Sequence, residues 1–483
     1  MRKLILVFWA VLFLNCCIPL AFAAEAEEIS GKGLVSGYSG FGSLNRLFDG
    51  RTMEATKIKD KGSITLAHEK GIGALYLVFG QEYGGVSVTN EETGETHRMG
   101  EAGFLHEFLN VEEVFGYAPK QIRLTFDRGE VQLNELSVFT PGEVPEWVQR
   151  WSPPAEGEAD LVLFSAHGDD EQLFFAGILP YYGQELGYNV QVVYLTGHRN
   201  MTMRRSHEML DGLWAVGVRH YPVFGPFGDY NTRSLTDAYQ KYSYKGISRE
   251  DILSFVVENV RRFRPKVAVG HDLKGEYGHG MHMVYAELLC EAAEVSADAS
   301  RFPDSCEKYG IWEIPKTYLH LYPENEIVMD WDAPLESFGG MTAFEVTRDR
   351  GFPCHASQQS YYSWYFEGVD SASEIAQYSP CEFGLYRSTV GEDREKNDFF
   401  ENVTSHAEDV LQEAKRQAEE AAKKQLEEAA KETAPAETAP CEVTMQPDIP
   451  EAGEDISVFP AAFAGIPAVF LIIFSLNVYK KKK

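Results

Sequence analysis

Positive charge is scarce in this chain. Its 483 residues carry 44 Lys and Arg against 73 Asp and Glu, a net charge of −29. Nucleic-acid binding needs a basic face to neutralise phosphates, so nucleic acid is excluded as a partner. Cysteine is scarce as well, with seven in all, and no C-x-x-C pair occurs, which removes a thiolate zinc site. Cys16 and Cys17 sit in an apolar leader. In an exported chain the other five can form disulfides. Cys290 with Cys306 and Cys354 with Cys381 are the plausible close pairs, and free buried thiols are the alternative. A Leu-Pro-x-Thr-Gly sorting signal is missing too. What is present, 44% hydrophobic residues over this length, is ample for packed cores and predicts roughly two to four domains.

The two ends are apolar. Met1–Ala23 has the form of a secretory signal: Arg2 and Lys3, then Leu4–Leu14, then Ala21-Phe22-Ala23 as an A-x-A cleavage site. Its apolar core is short for a retained anchor. Leu14-Asn15 stands where a lipoprotein signal at Cys16 needs small residues. Ile456–Tyr479 carries no charge and is long enough to span a bilayer at about 20 residues per crossing. Lys480 to Lys483 follow at once and are expected in the cytoplasm. The expectation is a single-pass protein of the cell membrane with its bulk outside. Upstream, residues 401–432 are rich in Ala, Glu, Lys and Gln, the composition of a solvated helical stalk. Fully helical, it reaches roughly 48 Å at 1.5 Å per residue. Residues 433–455 are Pro- and acid-rich without periodicity, a disordered linker.

Residues 31–141 read as β. Ala74–Phe79, Gly85–Thr89, Gln121–Phe126 and Val131–Phe139 are short apolar or alternating runs between polar turns, which suggests a sandwich. Leu44-Asn45-Arg46-Leu47-Phe48-Asp49-Gly50 and Leu133-Asn134-Glu135-Leu136-Ser137-Val138-Phe139 resemble the boundary motifs of discoidin-type (F5/8 C) galactose-binding-like domains. That resemblance implies a jelly-roll that often binds glycans; a spacer sandwich without ligand is the alternative. Pro141–Pro154 makes the junction.

From residue 155 to 398 strand and helix alternate. Leu161–Ser165, Val190–Leu195 and Val267–Val269 are the strands. Glu171–Gly183, Arg204–Ala215 and Asp251–Arg264 have helical spacing. This pattern predicts an α/β fold with a mostly parallel sheet covered on both faces. Side chains just beyond the strand ends then share one rim. The first strand ends in His167-Gly168-Asp169-Asp170-Glu171, with a nitrogen and an oxygen ligand three residues apart and a second carboxylate between them to act as base. The third ends in Gly270-His271-Asp272 and then Glu276-Tyr277-Gly278-His279-Gly280-Met281-His282. His282 completes a His/Asp/His zinc set with His167 and Asp170, and His279 stands ready to donate to a developing oxyanion. Taken alone, the first cluster also fits a solvated acidic turn, and a His-x-x-His in a Gly-rich loop is more often incidental.

Ala166-His167-Gly168-Asp169-Asp170-Glu171 is similar to the A-H-P-D-D-E signature of the N-acetylglucosaminyl-phosphatidylinositol de-N-acetylase (PIG-L/LmbE-like) family. Leu195-Thr196-Gly197, Arg205-x-x-Glu208, Gly217-Val218, Asp272 with Glu276 to His282, and His355-Ala356-Ser357-Gln358 follow in the family's order. The resemblance implies a Rossmann-like domain that removes acetyl from an N-acetylated sugar. His167, Asp170 and His282 would hold zinc or another divalent metal, with Asp169 as general base and His279 as oxyanion stabiliser. Arg205, Asp272, His355 and Gln358 are candidates for substrate binding, Arg205 against a plain ion pair with Glu208. Two departures stand out. Gly168 replaces the usual proline, and Met281 stands where the family commonly has the acid of His-Pro-Asp-His, leaving Asp272 or Glu276 to replace it. An inactive glycan-binding surface protein and a zinc amidohydrolase of non-sugar amides are the rival readings.

Overall fold

The structure is a computed structural model that describes residues 24–197 and 204–432. The leader (1–23), the linker (433–455), the apolar span (456–479) and the Lys tail lie outside the described residues. Among the described residues no helix is long and apolar enough to cross a membrane. The chain divides into two compact units, residues 1–416 and 417–483.

The first unit begins with eight antiparallel strands: β1 (Val35–Phe41), β2 (Thr56–Ala67), β3 (Ala74–Phe79), β4 (Val86–Asn90), β5 (Thr96–Met99), β6 (His106–Asn110), β7 (Gln121–Phe126) and β8 (Val131–Phe139). The long β2 pairs with β1 along one side and divides its other pairings between two strands. Its residues 62–67 pair with β7, while 56–58 pair with β8. Between them Lys61 sits at φ 60°, and a side chain at Gly62 would meet Ile58 Cγ2 at 2.5 Å. The bend lets Ile64, Val88 and Leu124 face Leu75, Leu77 and Leu136 across one apolar core. The order ends on β6, which pairs only with β3.

Residues 161–388 build a seven-stranded sheet from β9 (Leu161–Ser165), β10 (Val190–Thr196), β11 (Val223–Phe227), β12 (Val267–Gly270), β13 (Lys316–His320), β14 (Glu326–Val328) and β15 (Glu382–Ser388), in the order β11-β10-β9-β12-β13-β15-β14. The first five are parallel; β15 and β14 add an antiparallel edge. Successive side chains of β9 point to opposite faces. Leu161 and Leu163 join one core with Met209 and Leu213 of α1 (Arg204–Ala215). Val162 and Phe164 join the other with α2 (Leu235–Tyr244), α3 (Arg249–Phe263) and α4 (Gly280–Val295). The strand order reverses between β9 and β12, and the crevice beyond their carboxyl ends is where such sheets bind ligands.

Of the two alternatives for the cysteines, free thiols hold for Cys290, Cys306, Cys354 and Cys381, and two helix expectations are corrected. Cys290 and Cys381 are buried in cores on opposite faces of the sheet, and the Cys354 thiol donates to Arg350 O. The helix expected over 171–183 is a run of turns followed by a π-helical turn, Leu179–Glu185. Gly177 at φ 94° interrupts it, with the Trp331 ring where a Cβ would be. The helix expected from residue 401 starts later, as α5 (His406–Glu432); its described side chains beyond residue 409 are exposed.

Candidate active site

The turn after β9 brings His167, Asp169 and Asp170 to the crevice. The turn after β12 brings Glu276, Tyr277 and His279, and His279 caps α4, whose first turn carries His282. His167 Nδ1 lies 3.1 Å from Asp170 Oδ2 and 3.0 Å from His282 Nε2, and His282 Nε2 lies 3.2 Å from Asp170 Oδ2. All three residues are buried. A tetrahedral zinc site with bonds of about 2.0–2.1 Å has donor atoms about 3.3 Å apart, so this triangle fits a small divalent cation.

Two further residues, His271 and His279, stand near the same point, and their hydrogen bonds decide between them and the triangle. Ala166 N–H donates to His271 Nε2 at 2.8 Å, so that lone pair is taken and Nδ1–H goes to Glu276 Oε2 at 2.9 Å. Met281 N–H donates to His279 Nδ1 at 3.3 Å, which puts the proton of the neutral ring on Nε2. Lone pairs are left for a cation on His167, Asp170 and His282, and His279 keeps an N–H to donate. Burial, with His167 next, holds His279 down at about 3, so the ring is a neutral donor at ordinary pH. The acid lost at Met281 is not replaced: Glu276 bonds His282, and the helix cap orients His279.

Both metal-facing rings are tied at their far nitrogen to a carboxylate. His282 Nδ1 lies 2.6 Å from Glu276 Oε2, and His167 Nε2 lies 3.2 Å from Asp229 Oδ1. Such outer carboxylates fix ring orientation and raise ligand basicity. Glu276 also takes His320 Nδ1 at 2.7 Å and Asp272 N–H at 3.2 Å. Although burial opposes it, the His271 and His282 rings that face it hold Glu276 well below the usual carboxylate range. Asp169 is raised to about 6, chiefly by burial and then by the Asp170 charge, against the pull of Arg205. Near neutrality that suits a proton carrier.

A cleft of about 90 Å³ opens on Asp169, His167, Arg205, Asp229, His279 and Gln358, with Tyr277 and Tyr362 as its aromatic side. Arg205 lies 3.6 Å from Asp169 Oδ2, donates to Gly168 O, and donates to Glu208 Oε2 at 3.2 Å. It therefore both lines the cleft and pairs with Glu208. Glu208 in turn accepts Ser357 N–H at 2.9 Å, fastening the loop that carries Gln358. Asp272 and His355 do not line the cleft. The Asp272 side chain accepts Lys274 N–H, and His355 is fully buried, 3.2 Å from Glu171. The sequence reading missed Asp229, His320 and the ligand-supporting role of Glu276. Asp229 had one available signal, an acid just past the end of a strand.

Residues 162–293 match the family described as PIG-L, GlcNAc-PI de-N-acetylase. A 1D-myo-inositol 2-acetamido-2-deoxy-alpha-D-glucopyranoside deacetylase 2 of Saccharopolyspora erythraea is 26% identical over 201 residues, 38% of this chain and 72% of the relative. The corresponding deacetylase of Streptomyces griseus is 27% identical over 165 residues, 30% of this chain and 51% of that protein. The chain thus spans about half the length of the second. An N,N'-diacetylchitobiose deacetylase from Pyrococcus horikoshii aligns at 14% identity and a TM-score of 0.30, over 47% of this chain and 83% of its own.

Proposed function

We propose that the α/β body is a hydrolase that removes acetyl from an N-acetylated amino sugar of the glucosamine type, with zinc or another divalent cation in the His167–Asp170–His282 triangle. The observation that carries this is three donor atoms within 3.2 Å of one another beside a carboxylate raised to about 6, inside the segment that matches the de-N-acetylase family. A cation held there supplies Lewis acidity toward the amide carbonyl and the attacking water. Asp169 takes the proton of that water and returns it to the departing amine. His279 Nε2–H donates to the oxygen that gains charge, and the neutral ring needs no proton to do so. Arg205 holds Asp169 in place, and Gln358, Asp229 and the tyrosines face the sugar. The products are acetate and a free amino sugar.

Export, with a C-terminal membrane anchor, belongs to the same proposal and directs the enzyme to glycans outside the cell. Protease treatment of intact cells tests that address: the catalytic region should be lost while cytoplasmic proteins survive.

The activity test is acetate release by the full chain loaded with zinc, on N-acetylglucosamine compounds from monomer to oligomer, with His167→Ala as control. Acetate from the parent and not from the variant supports the reading. Silence with zinc bound moves the reading to another amide; silence without bound zinc removes the enzyme.

A further inference from the structure

Helix α1 serves a second concavity. Arg205 lines the cleft. Asp211, Trp214 and Ala215, further along the same helix, line a separate groove of about 620 Å³, the nearest of them about 9 Å along the axis from Arg205 at 1.5 Å per residue. That volume lies within the roughly 300–1,000 Å³ of ligand pockets. The junction segment from Glu146 to Arg150 forms the facing wall, and Phe338 and Arg350 close the rim. None of these residues lines the catalytic cleft.

The groove has a fixed aromatic floor. Trp147 is 48% exposed, yet its ring is held from behind by Tyr76 at 5.8 Å and Phe139 at 5.9 Å between centroids. A large apolar ring anchored on one side and open on the other is a stacking surface whose ordering cost is already met.

It also has an unbalanced charge. The Arg219 guanidinium lies flat on the Trp214 ring, 4.0 Å from its centre, and is steadied by Trp214 O and Val218 O at 3.0 Å each. Arg350 sits 5.6 Å from the Phe338 ring centre. Among the described residues neither forms an ion pair with a carboxylate, and Arg150 pairs only at the outer edge, with Glu143 at 3.4 Å. Burial first and the Arg150 charge second hold Arg219 below its ordinary value, with Glu146 opposing. Of the two acids in the lining, Glu146 and Asp211, the second accepts Gln149 Nε2–H at 2.6 Å; two carboxylates thus face three guanidinium groups, and the lining carries a net positive charge. In a chain of net charge −29 this is a local inversion of potential.

We propose that this groove binds an acidic saccharide, a uronate unit of a glycan. Its carboxylate docks on Arg219 and Arg350, and the apolar face of its ring lies on Trp147. Planar guanidinium forks match a carboxylate. The exposed Gln184 and Ser337 at the wall offer hydroxyl partners. A simple phosphate would leave the aromatic floor unused. The proposal stands apart from the chemistry of the cleft.

Calorimetric titration of the full chain and of its His167→Ala variant tests it, with tetragalacturonic acid as probe and tetra-N-acetylchitotetraose as the neutral comparison. The acidic tetramer is expected to bind both proteins alike. Arg350→Gln and Trp147→Ala, both at exposed positions and checked by melting, should each weaken it about ten-fold, the value of one charge-assisted hydrogen bond for the first and of one aromatic stacking contact for the second. Arg219→Gln with Arg350→Gln should abolish it. Absence of binding, binding that Arg350→Gln and Trp147→Ala leave unchanged, or equally tight binding of the neutral tetramer in the same groove would each overturn the proposal.

Discussion

His282 and His167 owe their orientation to carboxylates at their far nitrogens, Glu276 and Asp229. Removing such a partner typically lowers metal affinity by about 10–100-fold. Glu276→Gln is therefore expected to weaken zinc by that amount in a chelator competition, and unchanged affinity would show that the ring is held by packing alone. In the proposed reaction His279 plays a different part, donating to the oxygen that becomes charged. His279→Ala should lower kcat by about 10²–10³-fold with KM near the parent's. Since His279 is held at about 3, the parent's pH–rate profile should show no step from this ring above pH 5. The donors and Asp169 were legible in the sequence because they fall in short contiguous signatures. Asp229 and His320 were not: their partners lie 62 and 44 residues away, and only the sheet order brings them together.

At the scale of elements, β3, β4, β7 and β8 of the first sheet and β9, β10 and β12 of the second were readable from apolar runs, and α1 from its spacing, while the other strands of both sheets were not. The segment after the catalytic turn was misread, because tertiary packing of Trp331 on Gly177 overrides helical periodicity. Gly168, where the family usually has proline, has a packing reason that no local pattern contains. A Cβ there would meet Met209 Cγ at 2.2 Å and Sδ at 2.4 Å, so the bare backbone lets α1 close over the catalytic turn. Gly168→Ala is expected to cost about 1–3 kcal/mol, the usual range for overpacking, in a denaturant titration. Met209→Ala in the same chain should recover much of that loss. Two independent, additive losses would mean the turn resists the side chain for its own backbone reasons.

Across the whole first unit, sandwich and α/β body meet through a buried polar seam. Tyr76 OH lies 2.5 Å from His106 Nδ1, and His106 Nε2 lies 2.8 Å from His207 Nδ1 on α1. Phe104 stacks on Tyr221 at 4.1 Å beside them. Burial holds His207 down at about 4 and His106 well below its ordinary value. A depressed histidine stabilises the fold fully above its unfolded pKa near 6.5, and that contribution is lost as pH falls through about 4. For His207 the loss is about 3 kcal/mol. Glu107, raised to about 7 by burial, acts in the opposite direction and does so equally in a His207→Gln variant. Melting curves between pH 7 and 4 should therefore fall more steeply for the parent than for His207→Gln. Parallel curves would mean that the seam opens before it titrates.

The position of β6 carries a consequence in time. It is the last strand of its sheet, and its partner ring on α1 lies 101 residues downstream. During synthesis the sandwich emerges first and waits with an open edge, the kind of surface on which chains add strands to one another. The arrival of α1 sets His207 against His106 of that edge strand, so the interval between the two is one in which a nascent chain is exposed to its neighbours. Slowing translation between residues 110 and 204 lengthens that interval.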